Sequence, residues 1–441
     1  MFHALASCVS ATPRRLGMVF LATVVFSGSD AAQAQVCGQT LVANTTLTAN
    51  LLDCPGNGLV VGANNIVINL NGRTIDGVGL GVGILNNGFD NVTIRNGRIQ
   101  EFDFGVQLNP GTLGNLVETL TVTGNEFVGI QLSNADANNR IRNNTITAQA
   151  QRGLVLLNGS TGNVITFNTI TFNQGMSVEL ESSGSNTITD NQINNGGDGG
   201  LRLTASSSNV ILRNTITDTS DSGVSFESAS NSNTFSRNTL ARTGDSSLSV
   251  TSSNSNRIES NVVTQIGDAG LVMTTSNLNL VLTNTIRGTS DCGIYLQFSN
   301  DNTVRGNDVQ FNPCGLDLAH SNNNLIESNN ASNSQGSGIT LEDSEDNTVR
   351  LNQSNSSTAT GIYVVGVAAP GAGNLITTNT TNGNLGDGIV IASSGHTVTG
   401  NTANNNDGWG IYAVPGTTNG GTNHASGNSE AAQCFGIVCL P

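Results

Sequence analysis

Apolar and polar residues alternate in short bursts along this chain, and the bursts recur at a fixed interval. Each copy opens with a small residue and an apolar-x-apolar triplet, as in Gly129-Ile130-Gln131-Leu132. Nine or ten residues later comes Asn-x-apolar-x-x-Asn-x-apolar, as in Asn163-Val164-Ile165-Thr166-Phe167-Asn168-Thr169-Ile170. The opening position falls at Gly58, Gly81, Gly105, Gly129, Gly153, Ser177, Gly200, Gly223, Ser247, Gly270, Gly293, Gly315, Gly338, Gly361, Gly388 and Gly410, spacings of 22 to 24 with one of 27. A period of this size marks a solenoid whose turns pack on their neighbours. Alternation within each copy is strand spacing, and the copies are too short and too rich in Gly and Asn for helices. Three short strands with tight turns use up one copy. The chain is therefore expected to be all-β, a single-stranded parallel β-helix of about 16 coils, on the order of 75 Å long at ~4.8 Å per coil.

The expected organisation is one repeat domain, residues 58–415, between an N-terminal cap at 35–57 and a C-terminal cap at 416–441. Residues 1–34 read as a signal peptide: Arg14-Arg15, an apolar run from Leu16 to Phe26, then Ala32-Gln33-Ala34 as a small-x-small cleavage site. Export follows, to the periplasm or beyond. No other apolar stretch is long enough to span a membrane, so no membrane insertion is expected.

Composition sharpens this. Only 36% of residues are hydrophobic and 4% aromatic, too lean for a conventional core of 441 residues but enough for a narrow column of stacked aliphatics. The 53 glycines and the recurring asparagines suit turns that need left-handed backbone. All 16 basic residues are arginine, set against 31 acidic residues for a net charge of −15. No basic stripe exists, which argues against nucleic acid. Six cysteines follow residue 34, an even number suited to an oxidising compartment. Cys37 and Cys54 lie before the first opening glycine, Cys434 and Cys439 at the C-terminus. Cys292 and Cys314 directly precede consecutive opening glycines and should stack one strand apart. Three bridges are predicted: 37–54, 292–314 and 434–439.

The Asn-x-Ile-x-x-Asn-x-Ile repeat with a following Gly-Ile-x-Leu resembles the right-handed parallel β-helix superfamily typified by pectate lyases. It is most similar to the carbohydrate-binding and sugar-hydrolase repeat subgroup, which includes periplasmic copper-associated proteins. The resemblance covers roughly residues 36–430. It implies a right-handed helix and an internal asparagine ladder through Asn96, Asn144, Asn168, Asn191, Asn214 and their later counterparts. It also implies action on polysaccharide, although family catalytic signatures are mostly missing. A lysine base is excluded because the chain has no lysine, and neither Gly-His-Gly nor Asp-Pro-His occurs. His320, His396 and His424 with Met176 and Met273 make a poor copper inventory.

Residue columns supply the candidate chemistry. In Gly-apolar-x-apolar the x side chain points outward, and Tyr295, Tyr363 and Tyr412, the only tyrosines, all occupy it. With Gln297 two residues on, they form the expected substrate-binding column, since rings give apolar area and polar tips orient sugar hydroxyls. Strand preference alone also favours tyrosine there. Asp317 and Glu342 in the same outward region are candidate catalytic carboxylates. A second outward cluster, Glu179 with Arg202 beside Glu181 and Glu227, is either catalytic or a plain cross-strand pair. The long spacing around 365–373 suggests a loop walling a groove. Asp198, Asp221, Asp245, Asp268 and Asp291 each lie two residues before an opening position. Stacked carboxylates invite Ca²⁺, with Asp221, Asp245 and Asp268 as its ligands, or else simply bond their own turns. The functional expectation is an exported protein that binds a polysaccharide along an outer strand face. The sequence leaves open whether it cleaves the glycan, as a lyase or glycoside hydrolase, or is a non-catalytic structural or adhesin-like protein.

Overall fold

Each copy of the repeat pairs with its neighbours on three faces, through three short parallel strands in the central coils and through two strands and a single β-bridge from Cys292 onward. In one central coil the strands are Arg152–Leu157, Val164–Thr166 and Thr169–Thr171, after which Met176–Glu181 begins the next. The computed structural model describes residues 35–134, 136–366 and 373–441. The segment expected as a signal peptide, 1–34, and most of the long insertion, 367–372, lie outside the described residues, so the expected groove wall does too. The first face is an 18-stranded parallel sheet. Its register is strict: Ile130 pairs with Leu154, Leu154 with Val178, and Val178 with Leu201. Pairing already begins at Gln39–Leu41 against Leu59–Val61 and continues to Cys434–Phe435, so the ladder runs through both segments expected as caps.

Inward positions stack like with like. Ile141, Ile165, Ile188 and Ile211 line the second face, and Ile146, Ile170, Ile193 and Ile216 the third, all fully buried. Burying each such side chain contributes about 1.5–3 kcal/mol. A lean chain can thus hold a long core because each coil needs only a few of these groups, as few as Ile339, Leu341 and Val349 in one coil. The opening residue must be small for a steric reason. A Cβ on Gly200 would stand 2.4 Å from Ile216 Cγ2 and 2.5 Å from the Gly223 carbonyl oxygen.

The turns are closed by side-chain ladders. The Asn144 backbone N–H donates to Asn168 Oδ1 at 3.0 Å, and Asn144 Nδ2 donates to that oxygen and to the Val117 carbonyl. The same bond passes from coil to coil as far as Asn401 and Asn423. A second ladder, from Asn115 to Asn374, ends on Nδ1 of the buried His396 at 3.0 Å. Asn96 departs from the expectation of a ladder residue: it lies within the strand Thr93–Gln100, exposed at φ 65°, and its amide donates to Asn69 Oδ1, so it stands outside the ladder. The left-handed turn positions are also filled by residues other than Gly and Asn. Phe167, Asp190, Arg213 and Ser260, each directly before a ladder asparagine, have φ of 54–57°. The buried hydrogen bonds of the ladder fix that geometry and offset its local cost of roughly 1–2 kcal/mol.

Candidate functional site

Sheet register places one side chain per coil in a straight outward column on the first face. The column runs Val155, Glu179, Arg202, Ser225, Ser249, Val272, Tyr295, Asp317, Thr340, Tyr363, Val390, Tyr412 and Phe435. All three tyrosines therefore share it, with Asp317 and Thr340 between the first two. The adjoining outward column carries Gln297, Ala319 and Glu342 in register. Asp317 and Glu342 are thus one strand and two residues apart, an offset of about 8 Å along the backbone.

Asp317 is the unusual group here. Its Oδ1 is buried with no hydrogen-bond partner among the described residues. Burial, reinforced by repulsion from Glu342 and Asp291, pushes its carboxyl up to about 6. Burial also raises the Tyr295 phenol, with Asp317, Glu342 and Asp291 adding to the effect. Glu342 is exposed on the next strand. The Cys292–Cys314 disulfide joins the two strands three residues upstream of Tyr295 and Asp317, with Cα atoms 4.4 Å apart. The Cys37–Cys54 and Cys434–Cys439 bridges are formed as well.

Several contributors escaped the sequence reading because they lie in turns or in the tail. Phe298 and His320 directly follow Gln297 and Ala319 and stack at 5.0 Å at the end of the adjoining outward column. Both have φ of 49°, outside any strand alternation. Phe435 arrives from the C-terminal strand and stacks on Tyr412 at 5.0 Å, with Trp409 at 5.8 Å from Phe435. Column counting could have found Phe435 only by following the register past the last opening glycine.

The Glu179–Arg202 cluster lies four strands before Tyr295, so the structure does not bring it to the acidic pair. Glu179 Oε1 accepts from Arg202 at 2.6 Å and Oε2 from Arg152 at 2.9 Å. Burial alone would raise this carboxyl, but the two guanidinium bonds outweigh it and hold it below its usual value. Arg202, despite its own burial, is raised in turn by Glu179. A carboxylate held on both sides by cations is poorly suited to proton transfer, so the cross-strand pair describes this cluster better than acid–base catalysis.

The aspartate column is exposed or half-buried, and some of its members bond locally. Thr219 and Thr243 hydroxyls donate to the Asp221 and Asp245 carbonyls, and Ser246 donates to Asp268 Oδ2. Among the described residues, the one group of three or more metal-ligating side chains with mutually close ligand atoms is Asp291 with the disulfide-bonded Cys292 and Cys314. Asp221, Asp245 and Asp268 do not converge.

An open parallel β-solenoid with a linear outward site invites comparison with known proteins. The profile of the right handed beta helix region matches residues 31–171, 150–286 and 270–430, and the chain belongs to that family. Among solved structures, the tailspike protein of E. coli bacteriophage HK620 is similar at 9% identity, covering 91% of this chain and 73% of that one with a TM-score of 0.51. The A-module of the Azotobacter vinelandii mannuronan C-5 epimerase AlgE4 is 14% identical, covering 70% and 91%, with a TM-score of 0.48. These likenesses are likenesses of fold. No curated protein matches the sequence.

Proposed function

We propose that this is an exported protein that binds a polysaccharide lengthwise along the Tyr295–Phe435 column and hydrolyses it at the Asp317–Glu342 pair. The observation that carries the reading is the half-buried Asp317 carboxyl, whose Oδ1 has no hydrogen-bond partner among the described residues, standing in line with the tyrosines. Ring faces at Tyr295, Tyr363 and Tyr412 offer apolar platforms, and Gln297 and Thr340 offer hydrogen bonds to hydroxyls. Asp317, raised to about 6, keeps a proton close to neutral pH and can deliver it to a glycosidic oxygen. Glu342 supplies the second carboxylate. A backbone offset of about 8 Å favours an intervening water, as in the ~6.5–9.5 Å arrangement, over direct attack at ~5 Å. Lyase chemistry is less well supported, because the column from Val272 to Phe435 contains no arginine or lysine to serve as base or to neutralise a uronate. Its carboxylates suit a neutral glycan better than a polyanion. Three disulfides and the N-terminal apolar segment support export.

The test is retention and reducing-end release on a panel of neutral and acidic polysaccharides, comparing the natural chain with Tyr363→Ala and Asp317→Asn. Binding and release, with Tyr363→Ala weakening the first and Asp317→Asn abolishing the second, are expected. Binding without products would make this a binding module. Neither binding nor release would leave a structural solenoid and sink the proposal.

A further inference from the structure

The first face holds a second feature that the tyrosine column does not use. Gln151, Arg152, Gln174, Asp198 and Arg202 surround an open groove of about 460 Å³ with Glu179 at its base. That volume lies within the ~300–1,000 Å³ of small-molecule sites. Glu179 is nearly buried, whereas the Arg152 and Arg202 side chains keep 33% and 34% of their surface exposed. Arg152 spends Nη1 on Glu179, and Arg202 spends Nε and Nη2. A guanidinium carries five N–H donors, so each arginine retains donors beyond those bonds while its position is fixed by the carboxylate between them. Gly175 keeps the floor low. A Cβ there would meet the Gln151 carbonyl oxygen at 2.8 Å and Asp198 Oδ2 at 3.3 Å.

The donor set decides the ligand. Two arginines, Glu179 and Asp198 sum to no net charge, and Glu227 and Asp198 both act electrostatically on Arg202. A free anion would gain from the guanidinium groups and lose to the carboxylates. A pair of neighbouring hydroxyls, each both donor and acceptor, matches all of them: it accepts from Arg152 and Arg202, donates to Asp198, and does both with Gln151 and Gln174. We infer that this groove is a second saccharide site, specific for the vicinal hydroxyls of an uncharged sugar unit. The inference rests on the reading of the tyrosine column as a glycan track. Four strand spacings, about 19 Å, separate Arg202 from Tyr295. One extended chain can therefore engage both sites, and its second contact is then intramolecular.

The experiment is binding to an array of neutral and uronate-bearing oligosaccharides graded in length, with the natural chain, Arg202→Gln, Gln174→Ala and Tyr363→Ala. Gln174→Ala touches neither ion pair nor core, so it reports on the groove even if Arg202→Gln is poorly folded. Neutral chains long enough to reach both sites should bind at least about tenfold tighter than short ones. Both groove variants should lose that gain, about tenfold, while keeping short-chain binding at the tyrosines. Unchanged length dependence in Gln174→Ala and Arg202→Gln would overturn the inference, and so would a preference of the groove for uronates. Loss in the groove variants with no effect of Tyr363→Ala would instead overturn the tyrosine track and leave the groove standing.

Discussion

Replacing Asp317 by Asn should make this protein more stable and at the same time inactive. The carboxyl is raised from 3.8 to about 6, chiefly by burial and then by Glu342 and Asp291. An acid with a folded-state pKa above its unfolded value binds more protons folded than unfolded between those two values. Its stability contribution is therefore lost as pH rises through that window, and above about 6 the full penalty remains. Roughly two pKa units correspond to about 3 kcal/mol at most. Residual solvent screening at this half-buried position brings the expectation to about 1–2 kcal/mol. Asparagine keeps the shape and removes the charge. Solenoids unfold by neighbouring coils, so amide hydrogen exchange across Cys314–Ala319 is the sharpest local probe, with denaturant melts alongside. Asp317→Asn should exchange more slowly than the natural chain at about pH 7.5, and most of that advantage should vanish by about pH 4.5. Glycan hydrolysis should fall by about 10²–10⁴ if Asp317 is the proton donor. A variant that is less stable at neutral pH, or whose difference ignores pH, would refute the electrostatic argument.

Other perturbations test the scaffold. Asn214→Ala removes the Oδ1 acceptor used by the Asn191 backbone and side chain, and should cost about 2–4 kcal/mol by denaturant melt, whereas Asn96→Ala should cost only about 1 kcal/mol, the local cost of alanine at φ 65°. His396 accepts at Nδ1 from Asn374 and contacts Ser393 through Nε2, and burial lowers its pKa, so stability is full above about 6.5 and declines as pH falls below that. His396→Asn should flatten this acid limb of the stability profile. Cys292→Ser with Cys314→Ser should cost about 3 kcal/mol, and more at pH 7.5 than at pH 4.5, because the bridge holds together strands that carry Asp291 and Asp317. Gly200→Ala should cost about 1–3 kcal/mol through its clash with Ile216 and the Gly223 carbonyl.

Period and register were legible in the sequence because a solenoid is close to one-dimensional. A residue's neighbours are those one repeat away, so column counting locates the stacked isoleucines, the tyrosine line and the Cys292–Cys314 pair. The same logic fails at corners and ends. Phe298 and His320 stack through left-handed turn residues, and Phe435 reaches Tyr412 from a tail with no repeat to count. Asn96 resembled a ladder residue by spacing, yet it sits where an early coil departs from the pattern and its side chain is exposed.

Sequence alone thus determined the coil, its core and which side chains share a line, since these depend on periodic packing between adjacent copies. Tertiary structure decided how each charged group in a line behaves. Glu179 and Asp317 occupy the same outward column, and sequence assigns them the same potential role. Two arginines from neighbouring coils hold Glu179 ionised, one of them, Arg152, outside its column. Among the described residues, Asp317 has no cation beside it and one buried oxygen without a partner. Burial and partner geometry are three-dimensional quantities, and they separate a structural clamp from a carboxyl poised to give up a proton.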